Sequence, residues 1–167
     1  MNNNTFNDVF EKELLFESEL NKYSIAIGIF DEDSNKEEEA TLKNPDGTTS
    51  KINLAMGDIM YFIENGTIVL PENPILRNII EICQPRLEQI LDEIFTGVVE
   101  NNWGANEIRA KLMAFVNEIN SVYVHSGIEK TVREGNNINE LLNKSNHENY
   151  LISLDKLKKY LKCKLIF

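Results

Sequence analysis

Seven apolar residues, Leu76, Ile80, Cys83, Leu87, Ile90, Ile94 and Val98, keep a three-and-four spacing without a break. That spacing places them on one face of a helix longer than six turns, which must find something to bury that face. Asn73 can cap its start, and Pro74 fits the first helical position because the missing N–H is not needed there. The phase survives Pro85, so one helix with a kink at that proline is expected rather than two. Ahead of it, Asp58 is placed to cap a short helix over Ile59–Glu64 that Asn65-Gly66 would stop. Between the two, Pro71 and Pro74 force the residues before them into extended backbone.

The rest of the chain supplies partners for that helix. Residues 1–5 are expected to fray. Phe6, Val9, Phe10, Leu14 and Leu15 recur at helical spacing and predict a first amphipathic helix ending near Leu20. Tyr23–Phe30 alternates on both faces and predicts a covered strand. Residues 31–56 read as an acidic loop followed by a hairpin, with Asn44-Pro45-Asp46-Gly47 as the turn. After a break at Asn101–Gly104, Ile108, Leu112, Phe115, Val116, Ile119 and Tyr123 predict another long helix. Residues 127–148 are polar and aperiodic and read as a long loop. At the end, Leu161, Cys163, Leu165 and Phe167 alternate with Lys162 and Lys164, which predicts a terminal strand with lysines on its open face. The expected architecture is a single α+β domain over residues 1–167. In it, an antiparallel or mixed sheet with a projecting hairpin packs against two long helices and an N-terminal helix.

Composition narrows the function classes. The chain of 167 residues is 42% hydrophobic and carries a formal net charge of −10, which argues against a basic nucleic-acid-binding surface. The charge is uneven: residues 1–40 hold eleven acidic and three basic side chains, whereas residues 151–167 hold five lysines and one aspartate. Such asymmetry permits complementarity between copies of the chain. No apolar run approaches the ~18 residues of a membrane span, and the first residues lack the basic and apolar regions of a signal peptide. Cys83 and Cys163 have no metal-ligand spacing and read as buried small hydrophobes in a reducing compartment.

Chemistry-bearing motifs are sparse. His125 and His147 stand in no metal-binding pattern, and Glu37-Glu38-Glu39 lacks the glycine and alternating oxygens of a calcium loop. No phosphate-cradling loop, dinucleotide fingerprint or nucleophile elbow occurs. Glu64 reads as the polar last turn of a helix rather than as a catalytic carboxylate. Trp103 reads as a plug between two helices, or else as an interface anchor together with Lys162 and Lys164. No enzyme, cofactor or metal is expected.

The segment Phe62-Ile63-Glu64-Asn65-Gly66-Thr67, followed by Leu70-Pro71-Glu72-Asn73-Pro74-Ile75-Leu76-Arg77, resembles the tail-completion and tail-terminator proteins of tailed bacteriophages. In that family a Glu-aromatic-Gly-Thr turn leads to an Ile-Pro-x-Arg-Pro-Phe-Leu-Arg segment that opens a long helix. The matching positions are Phe62, Glu64, Gly66, Thr67, Pro71, Pro74, Leu76 and Arg77. Residues 24–30 resemble its Val-Gly-Ile strand, and the chain from Gly104 onward resembles its second helix. Thr131-Val132-Arg133 is similar to its Thr-Ile-x-Arg stretch, and residues 151–157 to its Pro-Leu-Ile-Asp-Thr-Gly-x-Leu segment. The chain departs from the pattern at Asn65, at Asn73 and at Ser153-Leu154-Asp155. The resemblance spans about Tyr23 to Phe167.

It implies a structural virion subunit, made in the host cytoplasm, that forms a ring, hexameric in the family, at the head–tail junction. The ring would cap the tail tube and join it to the head-side connector, with DNA passing through unbound and no membrane involved. The other function class compatible with the charge is a small acidic inhibitor of a host nucleic-acid enzyme. Its discriminating observation is co-purification with a nuclease rather than with virion proteins.

Overall fold

The computed structural model describes residues 3–43, 46–66, 72–134 and 154–167. Its elements run α1 (Asn3–Leu20), β1 (Ser24–Gly28), α2 (Asp31–Ser34), β2 (Glu37–Lys43), β3 (Thr49–Ala55), α3 (Met56–Asn65) and α4 (Ile75–Asn101). They continue with α5 (Ala105–Glu118), a π-helical turn (Ile119–Tyr123), α6 (Val124–Glu134), α7 (Leu154–Tyr160) and β4 (Lys162–Ile166). The class is α+β, with two small two-stranded sheets, β1–β4 and β2–β3, in place of one larger sheet. The chain divides into two compact units, and each has its own core.

The first unit comprises Met1–Ala26, Cys83–Ser121 and Cys163–Phe167. Ile90, Ile94 and Val98 of α4 and Ile108, Leu112, Phe115 and Val116 of α5 are all buried, as their spacing predicts. The two helices are tied by charge: Arg86 bridges Glu93 (3.1 Å) and Glu118 (3.4 Å), and Lys111 also pairs with Glu93. The connection is tight because Trp103 folds back over α4. Its backbone N–H donates to the Gly97 carbonyl at 3.1 Å, and a Cβ at Gly97 would lie 2.2 Å from the indole ring. Helix α1 packs on α4 through an edge-to-face contact of Phe16 with Phe95 (5.3 Å) and a 3.0 Å bond from Lys12 Nζ to the Val99 carbonyl. Its predicted core stripe is corrected: Val9, Phe10, Leu14 and Leu15 are exposed, and Lys12, Phe16 and Glu19 face the unit instead.

The second unit comprises Ile27–Ile82 and Val122–Lys162. Its core gathers Ala40, Met56, Ile59, Met60, Ile63, Ile75, Ile79, Val124, Ile128, Leu157, Tyr160 and Leu161. The hairpin β2–β3 is antiparallel, running from Glu37 opposite Ala55 to Lys43 opposite Thr49. The acidic run Glu37–Glu39, expected in a loop, is therefore the first half of a strand. At the hairpin end, the Asp46 carboxylate accepts hydrogen bonds from the Thr48 N–H (2.9 Å) and hydroxyl (2.6 Å), the Asx geometry expected of that turn.

Three further expectations are corrected in this unit. Asp58 lies inside α3, whose N-cap is Ala55, because the helix starts at Met56. The core-facing residues at the start of α4 are Ile75 and Ile79, while Ile80 is exposed. Residues 124–134, the last eight of them assigned to a loop from the sequence, form α6. That helix packs so closely on α4 that a Cβ at Gly127 would stand 2.3 Å from Ile79 Cγ1 and 3.0 Å from its Cα. The same contact buries a polar pair, with Asn78 donating to Thr131 Oγ1 (2.7 Å) and Thr131 donating to the Gly127 carbonyl (2.8 Å).

Candidate functional site

The turn from α3 into α4 is held by backbone groups and one carboxylate. Gly66 closes α3 with φ +69°, a conformation that side-chain-bearing residues rarely adopt, and its N–H donates to the Phe62 carbonyl at 2.9 Å. The incoming chain is tied to α3 by the Asn73 N–H, which donates to the Ile63 carbonyl at 2.8 Å. The Pro74 carbonyl accepts the first helical bond of α4, from Asn78 N–H at 2.9 Å.

Glu64 then reaches across the turn. Its two oxygens accept from the N–H groups of Leu76 (3.0 Å) and Arg77 (3.4 Å), first-turn donors with no partner inside the helix. A carboxylate at that position also meets the positive end of the helix dipole. Glu64 serves the first turn of α4, and Asn73 is a buried residue of the joint. Of the motif residues, Glu64, Gly66, Pro74, Leu76 and Arg77 thus meet in one joint. Phe62 contributes its carbonyl and sets its ring edge-on to Tyr61 at 6.1 Å. Thr67 and Pro71 lie outside the described residues.

A second constellation surrounds Asp33, which is buried with 3% of its surface exposed. Its two oxygens are held by Lys36 and Lys162, each at 2.5 Å. Those lysines, Lys162 foremost, hold the carboxyl at a pKa of about 2. Beside it, Glu38 pairs with Lys156 and accepts the Tyr160 hydroxyl at 2.8 Å, and both contacts lower its pKa. Lys36 also lies 5.7 Å from the centre of the Tyr160 ring. Lys162, a candidate interface residue by sequence, is thus engaged by a buried partner within its own chain. Nothing in the motif reading pointed to Asp33 or Tyr160; the only signal was the opposition of an acidic front and a lysine-rich end.

The remaining candidates are structural in their contacts. Trp103 is half-buried against Gly97 of α4. Lys164 is half-buried on β4. Both cysteines are buried free thiols, and burial pushes that of Cys163 up to about 11, so it stays protonated near neutrality. Strand β4 is clamped at Cys163 by Asn120 from the π-helical turn. Its Oδ1 accepts from the Cys163 N–H (2.7 Å), and its Nδ2 donates to the Cys163 carbonyl (2.9 Å). The side-chain amide there stands in for a neighbouring strand.

His125 pairs with Glu129 one turn along α6 at 2.9 Å, and His147 lies outside the described residues. Among the described residues, no group of three or more His, Cys, Asp or Glu side chains could hold a metal ion. None of their helices is long and apolar enough to cross a membrane. Comparison with protein-family models, with curated proteins and with solved structures finds no match to this chain.

Proposed function

We propose that the chain is a structural assembly subunit of the tail-completion type, forming a ring with copies of itself at a head–tail junction. There it caps a tail tube and meets a head-side connector. The observation that carries the reading is the α3–α4 joint. Five of the eight residues on which the family resemblance rests, Glu64, Gly66, Pro74, Leu76 and Arg77, make one mechanical unit, with Glu64 capping α4 across the turn that Gly66 closes. A joint that pins the start of α4 to the end of α3 suits a part whose task is to hold a turn in one shape.

Charge supports the same reading. A net charge of −10 gives a passing duplex no counterion-releasing grip, so DNA slides through such a ring without being held. Closed rings need contacts between unlike faces. The test is assembly of the purified protein, alone and with tube subunits, followed by light scattering and negative-stain imaging. Closed rings are expected; a monomer under every condition, tube protein included, overturns the proposal.

A further inference from the structure

Two apolar surfaces of the first unit are left uncovered by its own core, and they differ in charge. On α1, Phe10 is 53% and Leu14 50% exposed, with Val9 beside them. Glu13 and Glu17 stand on the same side, since residues three and four apart are neighbours on a helix. Among the described residues neither glutamate forms an ion pair.

The other surface centres on Phe167, which is 73% exposed. Its ring is held edge-on by Tyr23 (6.2 Å), and the Arg109 guanidinium lies 4.5 Å from its centre. Met113, one turn along α5 from Arg109, is exposed as well. Arg109 forms no ion pair among the described residues.

We infer that these surfaces meet between two copies of the chain, the acidic apolar face of α1 on one against the Arg109–Phe167–Met113 surface of the next. Grouped exposed apolar side chains mark interaction surfaces, and charge complementarity selects the occupant. Pairing α1 with α1 would set Glu13 and Glu17 against their own copies. Pairing α1 with Arg109 brings together charges that have no ion-pair partner among the described residues. Arg109 is already held over an aromatic ring, so little ordering cost remains. Each copy offers one surface of each kind, so the contact can propagate from subunit to subunit. The inference rests on the assembly reading above and names the faces that would carry it.

The test is sedimentation velocity of the full-length protein across a concentration range, with far-UV circular dichroism to check folding. Glu13→Arg with Glu17→Arg, and separately Arg109→Glu, should each weaken self-association at least tenfold. An equimolar mixture of the two variant proteins should regain it, because each then presents the charge the other lacks. Phe10→Ser with Leu14→Ser should weaken association as well, and mixing it with the Glu13→Arg, Glu17→Arg variant should not restore it, because both then carry a damaged α1 face. If all variants assemble like the unmodified protein, this assignment of faces is wrong while the assembly reading stands. If the unmodified protein is monomeric throughout, even with tube subunits, both are overturned.

Discussion

Asn120 illustrates how much one side chain can carry. It lies in a π-helical turn, which shifts the residues there out of the α-helical register, and its amide bonds both backbone groups of Cys163. Cys163 is buried, so removing the amide leaves an N–H and a carbonyl without that partner. Asn120→Ala should therefore destabilise the protein by about 1–3 kcal/mol, read by urea denaturation. Amides of the terminal strand should lose protection from hydrogen exchange at the same time. No pattern in the sequence announces this clamp: Asn120 reads as a polar position on the long helix predicted after Gly104, and its partner lies 43 residues away.

At the scale of elements, the α3–α4 joint depends on Glu64. Replacing it by Ala removes the acceptor for two first-turn N–H groups and should cost about 0.5–2 kcal/mol, with Glu64→Gln less damaging. Chemical denaturation of the two variants side by side checks the order. The elements were legible in proportion to their periodicity. Helix α4 and the stripe of α5 stood out because a 3.6-residue period runs unbroken through both. The phase at the start of α4 did not, since Ile75-Ile79 and Leu76-Ile80 are equally apolar pairs one residue apart. Helix α6 was hidden by Gly127, which reads as a breaker until Ile79 is seen pressed against it. Strand β2 was hidden by its glutamates; Glu38 is tolerated there because Lys156 and Tyr160, more than a hundred residues away, meet it. The outward stripe of α1 was misread because spacing identifies an apolar face but not what covers it.

Across the whole molecule, the acidic front and the lysine-rich end are joined in the second unit through Asp33 and Glu38. Asp33 has its pKa lowered to about 2, below its ordinary 3.8. Its contribution to stability is therefore complete above about pH 4 and is lost as pH falls through about 2. Asp33→Asn should lower the melting temperature at neutral pH, and the gap from the unmodified protein should close between pH 4 and pH 2 in thermal melts at stepped pH. A gap that persists unchanged at pH 2 would show that Asp33 acts by packing rather than by charge. The turn built on Gly97 has a different consequence. Trp103 is the sole tryptophan of the chain, and it sits wholly within the first unit. The protein thus carries a built-in optical label for one of its two cores. Indole emission reports the loosening of Trp103 from Gly97 of α4, whereas the hairpin and α6, which hold no tryptophan, are followed through the backbone signal.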